Sequence, residues 1–364
     1  MTIPERLLLG PGPSPVAARV MRAMSQPVLS HLDPQMMAIL DEVRAQLSRV
    51  FGAGASTLSI AVSGTGSSGM ETAVANVTAT GTRAVVVVNG YFGDRLARLF
   101  ESYGASVTRV TGEWGRACDP AAVARAIESG PCDVVAVVHA ETSTGVLNPI
   151  EDIVKLAARA GALSVVDAVT SFCGMPLRVE AWGIDICYSC TQKGLGAPSG
   201  LAPITFSSRA RDRVESRSFY FDIALLESYW LGRKYHHTIS APLVYALREA
   251  LAAVEEEGLE TRWARHRDNH LSLAAGLEGL GLEILPPPGE RLWTLNAVRV
   301  PAGVDEALVR RNLLEQFNIE IGAGLGPLAG QIWRVGLMGS GSTSSNVALF
   351  LNALERSLAA AGAR

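Results

Sequence analysis

Between Leu58 and Phe206 the chain alternates short apolar runs with longer stretches whose apolar residues fall at helical spacing. The runs are Leu58 to Val62, Ala84 to Asn89, Ser106 to Val110, Val134 to His139, Leu163 to Asp167, Ile186 to Ser189 and Leu201 to Phe206. Most are continuously apolar rather than alternating, the pattern of strands covered on both faces. Arg95 to Tyr103, Pro120 to Ile127 and Ile150 to Ala160 read as amphipathic helices between them. This alternation predicts an α/β class, a doubly wound, mainly parallel seven-stranded sheet.

Outside that region the pattern differs. Residues 1–15, with LLLGPGPSP, read as an extended arm, and Met37, Leu40, Leu47 and Val50 mark a helix after it. Near Ser240 the alternation gives way to helices over Pro242 to Glu257 and Arg262 to Leu280. Beyond a loop at Pro286-Pro287-Pro288-Gly289, strands are expected at Leu292 to Val300, Glu320 to Ala323 and Ile332 to Leu337. Helices near Asp305 to Phe317 and Ser345 to Leu358 complete a smaller α+β unit. The expected division is an arm at 1–15, a large domain at 16–240, and an interdomain helix with a small domain at 241–364.

Composition narrows the class. Apolar residues make up 48% of the 364 and charged ones 18%, so the chain is globular. A net charge of −3 gives no reason to expect nucleic acid as a partner. No segment approaches the roughly 20 apolar residues of a membrane span. The N-terminal apolar run, broken by Pro4 and Gly10, is too short for a signal peptide, and the final Ala-Gly-Ala-Arg is not a peroxisomal address. Five cysteines, an odd number, point to reduced thiols and a cytoplasmic location.

Several motifs carry chemistry. Ser63-Gly64-Thr65-Gly66-Ser67-Ser68-Gly69 follows the first strand run and opens a helix, with Ser68 and Glu71 as a capping-box pair. Backbone amides at such a turn bind anions, so a phosphate is expected here. The glycines also spell the dinucleotide fingerprint, but the next strand ends Val88-Asn89-Gly90 without the acidic residue that fingerprint requires. Asp167 ends a strand, where α/β ligands bind. Lys193, in Thr191-Gln192-Lys193, stands where an apolar strand meets a loop broken by glycine and proline. A desolvated lysine becomes a usable amine nucleophile. Lysine and aspartate together fit pyridoxal phosphate, the aspartate holding the pyridine nitrogen protonated.

Other candidates are read beside plainer roles. Phe92 could stack on a planar ring or pack in the core. Arg334 lies inside an apolar strand, so it needs a carboxylate, either a substrate's or a structural partner's. Cys187 and Cys190 form a C-x-x-C, but no second pair stands at metal-ligand spacing, and they are read as core cysteines. His236-His237 is adjacent rather than at ligand spacing. His266 and His270 are read as a solvated helix face, and Glu255-Glu256-Glu257 as a solvated helix end. No metal is expected.

Taken together, LLLGPGPS, VSGTGSSGMETA, ETSTGVLNPI, VVDAVTS, GIDICYSCTQKGLGAPSG, SFYFD, KYHHTI and GLGPLAGQIWRVGLMG resemble the alanine–glyoxylate/serine–pyruvate aminotransferases, class V of the fold-type-I pyridoxal-phosphate enzymes. The resemblance implies Lys193 as the Schiff-base lysine and Asp167 as the partner of the pyridine nitrogen. It implies Thr65, Gly66, Ser67 and Gln192 around the phosphate, Ser143 on the ring-hydroxyl side, and Val169 and Phe92 against the ring. Tyr235 and Thr238 would reach the phosphate of a neighbouring subunit's cofactor, which implies a homodimer with shared sites. Arg334 would bind the substrate carboxylate, with Gly12 in an arm, Gly10 to Pro13, closing over it and Ser143 nearby. Phe92 stands where the relatives carry tryptophan, so stacking should be weaker, and Ser199 stands in a usual Pro-Pro-Gly. The activity implied is ping-pong transfer of an amino group from alanine or serine to glyoxylate or pyruvate. Within the fold a ureidoglycine–glyoxylate or pyridoxamine–pyruvate aminotransferase is the alternative. A cysteine desulfurase would need a cysteine beyond Cys190, the last in the chain. From another class, an NAD-dependent dehydrogenase would account for the glycines but not for Lys193 with Asp167.

Overall fold

A computed structural model describes residues 3–362; the outermost two positions of the expected arm and of the small domain lie outside these described residues. The elements that position the site begin with β1 (Leu7–Leu8), α1 (Pro34–Phe51), β2 (Leu58–Gly64), α2 (Gly66–Val77), β3 (Arg83–Val88) and α3 (Tyr91–Ser102). Then come β4 (Ser106–Thr111), β5 (Val134–Val138), β6 (Leu163–Asp167), β7 (Ile186–Tyr188) and β8 (Gly200–Phe206). Helices α4 (Ala241–Glu257) and α5 (Leu259–Gly279) lead to β9 (Leu295–Arg299), α6 (Glu306–Phe317), β10 (Ile319–Glu320), β11 (Gly322–Ala323), β12 (Ile332–Gly336) and α7 (Ser344–Ala360).

The large sheet has seven strands in the order β2-β8-β7-β6-β5-β3-β4. Strands β3 to β7 pair in parallel, whereas β8 runs antiparallel to both β2 and β7. The central strands are buried along their whole length, β5 and β6 without exception, because helices cover both faces. All seven apolar runs read from the sequence are strands, their ends shifted by at most two residues.

Two main cores form. One joins the large sheet to α1, α2 and α4. The other joins α5, α6 and α7 to the three-stranded antiparallel sheet β9-β12-β11. Helix α4, the expected interdomain helix, packs on α1 and buries Val244, Leu247, Leu251 and Val254 in the first core. The arm is not free-standing: β1 pairs in parallel with β10, and Leu9 is buried in the second core.

Three local expectations are corrected. Helix α2 starts at Gly66, not after Ser68: Thr65 is its N-cap, and the Ser68 hydroxyl accepts from the Thr65 amide at 2.9 Å. Glu71, well inside the helix, instead accepts from the Tyr103 hydroxyl at 2.8 Å. His266 and His270 are buried, because α5 is sandwiched and its inner stripe carries Trp263, His266, His270 and Leu273. Glu257 is no solvated helix end either; it binds Arg262 and Arg265.

Candidate active site

The C-terminal ends of β2, β5, β6 and β7 open onto one cavity of about 190 Å³, where ligands of open α/β sheets bind. Thr65, Gly66, Ser67, Phe92, Asp167, Val169, Gln192 and Lys193 line it. Strand β2 ends at Gly64, whose φ of +134° suits glycine, and a Cβ there would lie 1.9 Å from the Ser68 Oγ. The chain thereby turns into α2, whose N-terminal end faces an anion favourably. Gly66 packs so closely on Val169 that a Cβ would lie 2.9 Å from its Cγ2. At the same end, the Gln192 Oε1 is buried with no hydrogen-bond partner. A phosphate fits the helix terminus, and the Gln192 amide, turned to present its NH₂ group, could donate to it.

Asp167 ends β6 and is 3% exposed. One carboxylate oxygen accepts from the Val169 amide at 2.8 Å, and the other accepts from the Tyr188 hydroxyl at 2.9 Å. Tyr188 is its neighbour across the sheet register. Burial pushes the Asp167 carboxyl up to about 6, with those two hydrogen bonds and the Lys193 charge pulling the other way. An acid in that position gains from a cationic partner such as a pyridinium.

Lys193 lies five residues past the end of β7. Its Nζ donates to the Pro11 carbonyl, and a Cβ on Gly12 would lie 2.7 Å from that nitrogen. The arm is latched to the lysine loop: the Ser14 amide donates to the Gln192 carbonyl at 2.9 Å and its hydroxyl to the Lys193 carbonyl at 2.7 Å. Burial lowers the Lys193 pKa and the Arg334 charge lowers it further, against Cys190 and Asp167. The result is a more nucleophilic amine.

Arg334, on β12, is 7% exposed. Its Nε donates to the Ala323 carbonyl at 2.7 Å and its Nη1 to the Thr142 carbonyl at 3.4 Å. It forms no ion pair with a carboxylate among the described residues; Glu141 and Glu320 act on it only through space. Burial lowers its pKa to about 10, and a buried guanidinium of this kind is suited to pair with a carboxylate.

Some expected residues stand elsewhere. The Ser143 hydroxyl donates to Glu141 at 2.5 Å and accepts from the Tyr91 amide at 2.9 Å, which leaves Thr142 as the loop's cavity-lining residue. Tyr235, 63% exposed, and the exposed Thr238 do not line this cavity. Their segment is anchored through His237 Nε2, 2.8 Å from the Ser63 Oγ. The cysteines are all free thiols, and burial pushes Cys190 up to about 12 and Cys187 well above its usual value, as inert core thiols.

Other residues were missed. Arg95 lines the cavity, lies 5.1 Å from the Phe92 ring centroid and reaches Ser67 at 3.5 Å. The signal was its position one helical turn after Phe92. Glu141 caps α3, accepting from the Gly93 amide at 3.0 Å and the Phe92 amide at 3.4 Å. Gly90 supplies no capping side chain, and a Cβ there would lie 2.3 Å from the Glu141 Cγ. Asn89, where the fingerprint wants an acid, is spent on Arg116 and Asn148. A larger groove of about 550 Å³ near Tyr245 is lined by Arg22 and by two paired arginines, Arg19 with Glu249 and Arg248 with Glu42, and holds no candidate nucleophile.

Residues 7–335 match the family model for aminotransferase class V. The chain belongs to the class-V aminotransferases. It is therefore a pyridoxal-phosphate-dependent transaminase, and the NAD reading falls away. It is 37% identical to the (S)-ureidoglycine–glyoxylate transaminase of Bacillus subtilis (strain 168), over 97% of this chain and 90% of the relative. An alanine–glyoxylate aminotransferase of Drosophila melanogaster is 36% identical, over 98% of this chain and 93% of the relative. Among solved structures, an alanine–glyoxylate aminotransferase from Nostoc sp. superimposes with a TM-score of 0.96 at 43% identity, covering 98% of this chain and 96% of that one. No described helix is long and apolar enough to cross a membrane.

Proposed function

We propose that this transaminase moves an amino group from a small amino acid, alanine or serine, to glyoxylate or pyruvate, with Lys193, Asp167 and Arg334 as its principal residues. The carrying observation is the buried guanidinium of Arg334, without a carboxylate partner among the described residues and electrostatically coupled to Lys193. Arg334 would take the substrate α-carboxylate, which fixes the amino group toward the lysine. Pyridoxal phosphate supplies an aldehyde for that lysine and an electron sink for the bond broken at the substrate Cα. Thr65, Gly66, Ser67 and Gln192 would hold its phosphate, Val169 and Phe92 its ring, and Asp167 the proton on its nitrogen. The Lys193 Nζ would then move the Cα proton as general acid and base. Pro11 and Gly12 lie against that nitrogen and would shield it from water.

The exposed Tyr235 and Thr238 support a homodimer in which each copy completes the other's phosphate site. Free thiols throughout the described chain support a cytoplasmic setting. Mixing Lys193→Ala chains with Thr238→Ala chains tests sharing, because the mixed dimer would regain one unaltered site. A donor panel of alanine, serine, ureidoglycine and pyridoxamine, scored by loss of the yellow cofactor absorbance, ranks the substrates. Persistence of that conversion in Lys193→Ala refutes the assignment.

A further inference from the structure

We propose that Glu257 is a positioning residue that ties the Lys193 loop to the loop following the Arg334 strand, through Arg262 and Arg265 respectively. The inference rests on the roles given above to Lys193 and Arg334.

Glu257 is the last residue of α4, and Gly258, with φ +79°, turns the chain into α5. Its carboxylate receives two arginines from the start of α5. Arg262 Nη1 lies 2.7 Å from one oxygen; Arg265 Nε lies 2.6 Å from the other, with its Nη2 3.0 Å from the first. Burial alone would raise the Glu257 pKa, but the hydrogen bond from Arg265 and the two cationic charges outweigh it and hold the group ionised.

Each arginine also donates from a further nitrogen to backbone beside the residues that carry the chemistry. Arg262, 5% exposed, donates from Nη2 to the Gly194 carbonyl at 2.8 Å, with the Leu195 carbonyl at 3.5 Å. Gly194 is the residue after Lys193. Its other face is pinned as well, since a Cβ there would lie 2.3 Å from the Phe172 carbonyl oxygen. Arg265 donates from Nη1 to the carbonyls of Ser342 at 2.6 Å and Gly339 at 3.1 Å, in the loop that follows β12. The two gripped loops touch: a Cβ on Gly339 would lie 3.1 Å from the Gly196 Cα. The contact joins the first core, which carries the lysine, to the second, which carries the carboxylate-binding arginine.

A charge pair used only to hold two helices together has no need of two separate carbonyl grips on the two loops. Loss of Arg262 frees the Lys193 backbone, and a misplacement of about 1 Å at a reacting group costs up to about 100-fold in rate. Loss of Arg265 frees the loop behind Arg334, so it weakens amino-acid binding instead.

The test compares Arg262→Gln, Arg265→Gln, Glu257→Gln and Arg262→Lys in the cofactor-loaded enzyme. Borohydride-trapped cofactor on Lys193 is quantified by peptide mass, beside kcat and KM for the amino acid. Arg262→Gln is expected to lower trapping several-fold and kcat by about 10- to 100-fold with KM little changed. Arg265→Gln is expected to leave trapping intact and to raise KM about tenfold. Glu257→Gln should show both defects. Arg262→Lys, which keeps a donor for the Gly194 carbonyl, should recover most of the trapping and serves if the glutamine variant does not fold. Identical defects in the two arginine variants, or unaltered trapping and kcat without Arg262, would overturn the proposal while leaving Lys193 in place. Absence of label on Lys193 in the unaltered enzyme would overturn both it and the functional reading.

Discussion

Replacing Asp167 by asparagine is expected to stabilise the cofactor-free protein while abolishing its activity. Burial places the Asp167 pKa at about 6 in the folded chain, against about 3.9 for an unfolded aspartate. At about 1.4 kcal/mol per pH unit, the difference is about 3 kcal/mol. The acid is protonated more readily when folded, so its stabilising contribution is full below about pH 4 and is lost as pH rises through about 6. Above pH 7 the folded protein carries the whole cost of a buried carboxylate. Asparagine does not titrate, and its carbonyl can still accept from the Val169 amide while its NH₂ donates to the Tyr188 hydroxyl. Urea titrations of the cofactor-free variant and parent at pH 4, 6 and 8 measure the gap. The variant should exceed the parent by up to about 3 kcal/mol at pH 8 and by less than about 1 kcal/mol at pH 4. Transamination should be lost at every pH, since no anion remains to hold the ring proton. A gap that does not change with pH, or a variant weaker at pH 8, would refute the electrostatic reasoning.

Arg334→Gln removes a charged hydrogen-bond partner worth about 1.5–3 kcal/mol, so KM for the amino acid should rise about 10- to 150-fold in steady-state assays. Gly12→Ala forces a methyl group against the Lys193 side chain on backbone at φ +108°; kcat should fall strongly, with the thermal midpoint only slightly lowered. Phe92→Trp should slow loss of the cofactor on dialysis, by an amount matching about 0.5–1.5 kcal/mol of added ring contact. Tyr188→Phe strips Asp167 of its hydroxyl donor, so the acid limb of the kcat profile should move to higher pH.

The large sheet was legible because its strands are buried on both faces, which leaves uninterrupted runs such as Val134 to Val138. The cavity was legible where chemistry coincides with a strand end, as at Thr65, Asp167 and Lys193. Tyr188 could have been found: a buried phenol at a strand end needs an acceptor, and Asp167 ends the adjoining strand. Glu257, Arg262 and Arg265 could not, because their partners at Gly194 and Gly339 are distant in sequence and charges at a helix junction look solvated. His266 and His270 failed for the same reason, since a polar stripe at helical spacing does not reveal that a second layer covers it. Ser143 lines up with the family pattern, yet its hydroxyl is consumed by Glu141, a pairing that only the folded loop reveals.

The central claim is that a covalent bond to the cofactor forms at one particular amine. The chain's lysines are Lys155, Lys193 and Lys234, and Lys155 is exposed and paired with Glu151 at 2.7 Å. Borohydride reduction of the cofactor-loaded protein, followed by peptide mass mapping, assigns the bond. A phosphopyridoxyl group confined to Lys193 is the expected result. Label on Lys155 or Lys234 with Lys193 unmodified would contradict the account.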